Sequence, residues 1–287
     1  MYFDSILAVS DFSALSAHAL DRAALLARQH QTPLRLVHFA DSPDTYLADP
    51  IARLGQRARQ LARRHEIAVH ALERSASLDE VMAEASASSL MVMGPLSHRS
   101  WKRFHLGTTL DQAVHGSVCP LLVVKQAPDK PYARVLVAVD LSPGSMPLID
   151  FAGRFSRPTM LTLFHAIDTL DEAKLRSADV SHEVIQANRF GSRLQARDRL
   201  AQLIGALDVN RPPLAFDVGH GDPAYSTALH LQATQGELVV VGKRRSSSLV
   251  HFFTGSVAQR LAKWADSDVL VAPLERLNSS TFAEHSH

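Results

Sequence analysis

The sequence has a single cysteine, almost no net charge and no long hydrophobic run, and each shortage excludes a class of protein. Cys119 alone permits no internal disulfide, which rules out a disulfide scaffold. Thirty basic residues against 29 acidic ones leave a formal charge of +1, so nucleic acid or an anionic membrane is not expected as a partner. No run approaches the roughly 18 apolar residues of a membrane span, and the first residues lack the apolar core of a signal peptide. We therefore expect a cytoplasmic location.

Sequence signatures of common catalytic and metal sites are missing as well. The chain has no Walker A loop and no Gly-x-Ser-x-Gly elbow. His65 and His70 lie five residues apart rather than the four of a helical zinc pair. Residues 219–224 fit a dinucleotide pattern, but they do not stand in the first βα turn of a domain, where that fingerprint belongs. A binding or regulatory role is thus favoured over catalysis; a slow ATPase stays open, although no general base is evident.

The chain is an internal repeat, which changes the reading of every motif within it. Gly94 recurs as Gly242, and the segments around them recur at the same offset of 148 residues (242 − 94). Nearer the start of each copy, Asp11 recurs as Asp140 at an offset of 129 (140 − 11). The second copy has therefore gained about 19 residues (148 − 129), which we place in the helical stretch 171–207.

The junction between the copies is proline-rich. Residues 127–131 contain Pro128 and Pro131, and paired prolines disfavour helix and interrupt a sheet. The sequence therefore predicts a first domain over residues 1–127, a second over 132–275 and a mobile tail over 276–287.

Within each copy, short β-branched runs alternate with helical patterns, which is typical of βαβ units and a parallel sheet. Right-handed crossovers then make each half a doubly wound, five-stranded α/β sheet with its ligand crevice at the carboxyl ends of the strands. Ser77 and Glu80 have the spacing of a capping box at a helix start. The predicted strands are 4–9, 34–39, 67–73, 89–93 and 120–124 in the first copy, and 133–139, 159–165, 214–218, 237–241 and 268–272 in the second.

The best candidate site follows the fourth strand of each copy, where a glycine ends the strand and Gly-Thr or Gly-Ser opens the last helix. Free N–H groups and the positive end of the helix dipole converge there, and glycine lets a phosphate approach the backbone closely. The alternative is that the glycines only make tight turns and the hydroxyl only caps a helix. The residues are Gly94 with Gly107-Thr108, and Gly242 with Gly255-Ser256.

These segments resemble the universal stress protein family, which ends its domain with Gly-x2-Gly-x9-Gly-(Ser/Thr) before a last helix and a Cys-Pro-(Val/Leu)-Leu-Val-Val strand. Residues 94–108 and 242–256 occupy that frame, and 119–124 match the strand. Asp11 and Asp140 fall where the family's first strand ends. The likeness covers roughly residues 2–126 and 132–273, and it implies a Rossmann-like fold of the adenine nucleotide alpha hydrolase type.

The resemblance also implies a ligand and its contacts. Family members that bind ATP hold the nucleoside with the first-strand aspartate and the backbone after the second strand, and hold the phosphates with the glycine loop and helix start. ATP, with Mg²⁺ only as its companion, or another small anion is therefore the expected ligand. The implied site residues are Asp140, Ala166, Gly242, Arg245, Gly255, Ser256 and Val257 in the second domain, and Asp11, Phe39, Gly94, Gly107, Thr108 and Thr109 in the first.

Both copies depart from the family pattern. Ser97 and Arg245 replace the middle glycine, and a side chain there narrows the space for phosphate. Arg245 either blocks the pocket, which we favour, or clamps a phosphate through its forked donors. Pro95 removes one N–H from the first loop. In the second copy Asp222 stands where the family has a helix N-cap.

Two functions remain open after these departures. The second site is the better preserved, so we expect a stress-response module that binds its ligand mainly in the second domain. The alternative is a protein-interaction module with vestigial pockets. In either case the resemblance implies that the last strands of the two copies pair across an internal pseudo-dimer. Whether two chains form a homodimer, and which protein partner they contact, is open.

Overall fold

A computed structural model describes residues 3–40, 49–96, 108–169, 181–207, 213–244 and 256–277. Contacts divide the chain into two compact units, the first made of Met1–Pro131 with Asp266–Arg276 and the second mainly of Tyr132–Ala265. Among the described helices, none has the length and apolar composition needed to cross a membrane.

The first unit alternates strands and helices as predicted. Its strands are β1 (Ile6–Ser10), β2 (Leu34–Phe39), β3 (Val69–Ala76), β4 (Leu90–Met93) and β5 (Leu121–Val123). Its helices are α1 (Ala14–His30), α2 (Pro50–His65), α3 (Leu78–Ser86) and α4 (Thr109–Gly116). Every residue of β1, β4 and β5 is buried, as expected for central strands covered on both faces.

The second repeat follows the same scheme. Its strands are β6 (Arg134–Ala138), β7 (Met160–Ile167), β8 (Leu214–His220), β9 (Leu238–Lys243) and β10 (Asp268–Pro273). Its helices are α5 (Ser145–Ser156), α6 (His182–Gly205), α7 (Pro223–Ala233) and α8 (Val257–Trp264). The α/β class and the tandem repeat are thus confirmed.

The strand order is that of a doubly wound sheet. In the first unit the order is β3-β2-β1-β4-β5-β10, and in the second unit β9-β6-β7-β8 are neighbours. The strands within each repeat pair in parallel, whereas β10 lies antiparallel to β5, with Leu270 opposite Leu122. The expected pairing of the two last strands is confirmed, and each covers the other's apolar edge.

The extra residues of the second repeat lengthen its second helix. α6 has 24 residues and its counterpart α2 has 16. The prediction that the insertion lies in the helical stretch 171–207 agrees with α6, which is eight residues longer than α2 (24 − 16), while 171–180 of that stretch lie outside the described residues.

Helix starts agree with the sequence. Ser77 and Glu80 form the predicted capping box, in which the Ser77 N–H donates to the Glu80 carboxylate over 2.8 Å. Asp222 caps α7 as predicted by accepting the Tyr225 N–H over 2.9 Å, and Pro223 takes the first helical position.

A buried ion pair anchors β10 inside the first unit. The side chains of Arg22 and Asp268 are 6% and 0% exposed, with 3.6 Å between Nε and Oδ2. Asp268 also accepts the N–H groups of Lys125 and Gln126 over 2.8 and 3.1 Å. Burial lowers the pKa of Lys125 to about 8, against the opposing effect of Asp266 and Asp268. Removing either partner would leave a charge in the interior, so this contact strongly constrains where β10 lies.

Candidate functional site

In the first unit, the turn after β1 is built by short polar side chains. Asp11 Oδ1 accepts the Ser13 N–H over 2.9 Å, and Ser10 Oγ accepts the Phe12 N–H over 3.2 Å. These bonds hold Phe12 at φ 59°, a left-handed conformation uncommon for a bulky side chain. Ser13 then caps α1 by accepting the Ser16 N–H over 3.1 Å. Asp11 therefore lies at the predicted strand end, where its carboxylate organises the turn.

The ring of Phe12 contacts two other side chains. Its ring centroid lies 4.9 Å from that of His38, and the Arg53 guanidinium carbon lies 4.8 Å above the ring. Burial lowers the pKa of His38, Arg53 lowers it further, and Asp11 opposes the shift. The His38 Nδ1 also contacts Ser75 Oγ at 2.7 Å. Phe12, His38 and Arg53 thus form one group of contacts at the end of β1.

The other predicted residues of the first site that the structure describes serve the packing of the fold. Phe39 ends β2 and is only 5% exposed. A Cβ on Gly94 would lie 2.9 Å from the carbonyl carbon and oxygen of Leu15, so glycine lets β4 approach the start of α1. Pro95 follows directly, while Ser97 and Gly107 lie outside the described residues.

The start of α4 is closed by a carboxylate. Thr108 caps the helix, and its N–H and hydroxyl both donate to Asp111 Oδ2, over 2.8 and 2.9 Å. Thr109, the first helical residue, is 2% exposed. The Asp111 carboxylate therefore already accepts hydrogen bonds from Thr108 at this helix start.

In the second unit, the equivalent strand end is open and charged. Asp140 Oδ1 accepts the Ser142 N–H over 3.0 Å and the Ser145 hydroxyl over 3.3 Å. Its Oδ2 lies 3.0 Å from the Arg244 guanidinium, and the two side chains are 59% and 55% exposed. Arg244 also donates to the Ser142 hydroxyl. Burial alone would raise the pKa of Asp140, but the Ser142 hydrogen bonds and the Arg244 charge lower it.

Adjacent strands bring the predicted residues of the second site to one sheet edge. β6 and β9 pair with Ala138 opposite Val241, so Asp140 and Gly242 follow at neighbouring strand ends. Ala166 lies near the end of β7, opposite Gly219 of β8. The His165 ring nitrogen contacts the Val139 carbonyl at 2.9 Å, which gives this repeated histidine a packing role.

The last helix of the second repeat begins with a neutral cap. Ser256 caps α8, and its N–H donates to the amide oxygen of Gln259 over 2.8 Å. Val257 is the first helical residue. Gln259 stands where the first repeat has Asp111, so this helix start carries no negative charge of its own. Arg245 and Gly255 lie outside the described residues.

The residues of the rejected dinucleotide and zinc patterns have structural roles. Gly221 has φ +123°, and a Cβ on Gly219 would lie 2.5 Å from the Phe164 ring, so both glycines serve the turn and the sheet packing. His65 ends α2 whereas His70 lies in β3. Within the described residues, no three His, Cys, Asp or Glu side chains are grouped so as to hold a metal ion. Cys119 is buried, which raises the pKa of its thiol.

Three residues beside the sites were not predicted as site residues. Arg244 has a signal in the sequence, since the basic run Lys243-Arg244-Arg245 directly follows a strand, but such a run is also typical of a solvated turn. Phe12 and Arg53 had none, because they are far apart in sequence and no motif joins them.

Comparisons with known proteins agree with this architecture. The model of the universal stress protein family matches residues 2–125 and 131–273. A universal stress protein from Archaeoglobus fulgidus DSM 4304 has 16% identity and a TM-score of 0.62, with 94% of this chain and 96% of that chain covered. A protein described as a universal stress protein from Pseudomonas aeruginosa UCBPP-PA14 has 18% identity and a TM-score of 0.66, with 98% of each chain covered. Identities this low show the fold alone. No curated protein sequence matches the chain.

Proposed function

The chain belongs to the universal stress protein family, and we propose that it is a stress-response regulatory module whose second domain (132–275) binds ATP or a similar anionic small molecule. The ligand lies at the carboxyl ends of β6, β7 and β9, where open parallel sheets bind their ligands. Mg²⁺ enters only with the nucleotide. Binding, rather than catalysis, is the activity proposed.

Exposed positive charge at the end of β9 supports this site. Arg244 lies next to Asp140, and both side chains are more than half exposed, so an incoming ligand reaches them without unfolding the edge. Asp140 is oriented by Ser142 and Ser145 rather than by the core. A guanidinium offers forked donors to phosphate oxygens, and the carboxylate can accept ribose hydroxyls.

The starts of α4 and α8 differ in a way that favours phosphate binding in the second domain rather than in the first. A phosphate is stabilised by the N–H groups and the positive dipole at a helix N-terminus. In α4 the Asp111 carboxylate accepts the Thr108 N–H and is stabilised by the helix dipole. In α8 the neutral Gln259 amide accepts the Ser256 N–H, and a phosphate displaces an amide more readily than a carboxylate. The first domain also has Pro95 and buried Leu96 where the second has Lys243 and Arg244.

The Arg244 guanidinium is the single observation that carries the proposal, because it is an exposed cation at a position where the first domain has the buried side chain of Leu96. Titration calorimetry of Mg²⁺-ATP into the full chain tests it. Arg244→Gln should weaken binding about tenfold or more, since one charge-assisted contact is lost. Arg193→Gln removes the same charge from the exposed face of α6 and should leave the affinity unchanged. Equal affinities in all three proteins would contradict the proposal.

A second candidate is a protein-interaction module with vestigial pockets. The observation in its favour is that Arg244 pairs with Asp140 and Ser142, so the site's acidic residue is occupied by the protein's own cation. Absence of ATP binding in the wild type and in Arg245→Gly would favour this candidate.

A further inference from the structure

A cavity opens between the first two helices of the first unit, away from the helix start that carries Thr108. Its volume is about 240 Å³. We call it the α1–α2 pocket. It is lined by Ser10, Phe12, Ser13, Ser16, Ala17 and Leu20 from β1 and α1, and by Arg53, Gln56, Arg57 and Gln60 from α2.

The pocket has two kinds of wall. The side made by the end of β1 and by α1 combines apolar Phe12, Ala17 and Leu20 with three serines, whereas α2 contributes only guanidinium and amide groups. A pocket with an apolar wall and a few convergent polar groups is the usual form of a small-molecule site. Its ligand should therefore be amphipathic, with an apolar body and a polar end directed at α2.

The two arginines of the pocket differ in what they already bind. Arg57 donates to Asp21 over 2.8 Å and to Gln60 over 2.8 Å, so its charge is matched. Arg53 lies over the Phe12 ring, and no carboxylate among the described residues pairs with it. The ring contact holds the guanidinium in place without using its forked donors. Arg53 is thus a pre-positioned cation without a carboxylate partner in the part of the chain that the structure describes.

Nearby acidic groups do not fill this role. Asp11 accepts the Ser13 N–H and is not part of the pocket lining. Asp21 is held by Arg57. An anion that enters the pocket therefore meets one unmatched guanidinium, which recognises planar carboxylates through two parallel hydrogen bonds.

The volume limits the size of the ligand. An apolar cavity of about 150 Å³ holds benzene, whereas drug-sized ligands occupy pockets of about 300–1,000 Å³. At about 240 Å³ the pocket matches a single ring with one small substituent rather than a nucleotide.

We propose that the α1–α2 pocket binds a small aromatic carboxylate, with Arg53 holding the carboxylate and Ala17 and Leu20 contacting the ring. This site is separate from the nucleotide site proposed for the second domain. It depends on Phe12, whose counterpart Leu141 has no aromatic face on which to hold a guanidinium, so it belongs to the first repeat.

Benzoate is the probe, and the full chain is titrated while amide and methyl NMR signals are followed. The signals of residues in α1 and α2 should shift and saturate. Benzamide, which has nearly the same shape without the charge, should bind about tenfold more weakly or worse. Arg53→Gln should weaken benzoate binding about tenfold or more. Arg53→Lys keeps the charge but loses the forked donors, so its affinity for benzoate should lie between those of the wild type and Arg53→Gln.

The matched control is Arg59→Gln, which removes the same charge from α2 at a position outside the pocket lining. It should bind benzoate as the wild type does. Ala17→Phe, which fills the pocket from α1, should abolish binding while retaining the wild-type fold by circular dichroism.

Three results would overturn the proposal: no saturable shift in the wild type, equal binding of benzoate and benzamide, or equal losses in Arg53→Gln and Arg59→Gln. Shifts confined to residues 132–265 would overturn it too, because benzoate would then bind in the second unit. ATP titration of the same variants separates the two sites, since Arg53→Gln should leave nucleotide affinity unchanged.

Discussion

The two repeats end their first strands with the same residue and begin their last helices with the same kind of cap, yet their surroundings differ. Asp11 precedes Phe12, whose ring contacts His38 and Arg53, and the cap of α4 is hydrogen-bonded to a carboxylate. Asp140 stands in an exposed ion pair, and the cap of α8 is bound to a neutral amide. The first strand end thus carries an aromatic ring in contact with a cation, and the second carries an exposed ion pair.

The difference shows that the strand and helix scaffold tolerates changes at its edge. A glycine such as Gly94 is required by the approach of α1 whether or not a ligand binds. The presence of this glycine therefore does not indicate a phosphate site. The residues around it determine whether a phosphate can bind. On that basis we proposed the second edge, rather than the first, as the nucleotide site.

The largest expected effect is a loss of unfolding free energy, and it should separate the buried ion pair of the first unit from the exposed pair of the second. Asp268→Asn removes the charge partner of Arg22 in the interior, so the free energy of unfolding should fall by about 3–5 kcal/mol. Asp140→Asn breaks an exposed pair and should cost at most about 1 kcal/mol. Urea unfolding of both variants checks this. Losses of similar size would contradict the contrast.

The next effect concerns the two residues that replace the family's middle glycine. Arg245→Gly should strengthen ATP binding about tenfold or more, because the long side chain is expected to displace the ligand rather than recruit it. Ser97→Gly makes the matched change in the first repeat and should create no site, since Pro95 and Asp111 remain. Calorimetry decides between the readings: weaker binding in Arg245→Gly would show that the residue clamps a phosphate.

A smaller effect is expected at the helix starts. Gln259→Glu gives α8 the negative charge that Asp111 gives α4, and ATP affinity should fall about two- to fivefold, since a charge in the first turn contributes about 0.3–1 kcal/mol. The salt dependence of the affinity is the internal control, because raising the ionic strength should narrow the difference. An unchanged affinity would mean that this helix does not contact the ligand.

The smallest effect is the pH dependence of stability, which should differ between the sites. The folded pKa of His38 is below its ordinary value of 6.5, so its neutral form favours folding and stability is lost as the pH falls through 6.5. His65 acts in the same direction. The pKa of Asp140 is below its ordinary value of 3.8, so its contribution persists at higher pH and is lost only as the pH falls through the folded pKa.

Urea midpoints measured at a series of pH values test this difference. His38→Asn should flatten the decline that begins near pH 6.5, while Asp140→Asn should lower the midpoint by a constant amount above pH 3.8 and flatten the decline below it. A profile of Asp140→Asn that differs from the wild type only near pH 6.5 would refute the assignment.

Much of the fold follows from the sequence because its signals are local. Apolar runs predict β1, β4 and β9, and the spacing of Ser77 and Glu80 predicts a helix start, since each depends on neighbours within a few residues. The repeat extends these inferences to the second copy. The pairing of β5 with β10 required the family resemblance, because strand partners are not written in local sequence.

The surroundings of the sites could not be predicted in this way. Arg53 lies over Phe12, and Arg244 binds Asp140, across long stretches of chain. Such contacts depend on how helices and loops lie on the sheet, which residue spacing does not determine. The positive φ of Phe12 could not be predicted either, because this conformation is usually adopted by glycine or asparagine.

The central claim, that the second crevice binds a nucleotide and the first does not, is tested most directly by equilibrium dialysis of the full chain with labelled ATP, with and without Mg²⁺. Asp140→Asn and Asp11→Asn provide the matched pair at equivalent strand ends. The expected result is one ATP per chain, weakened strongly by Asp140→Asn and unaffected by Asp11→Asn. Two ATP per chain, none at all, or a loss caused by Asp11→Asn would contradict the claim.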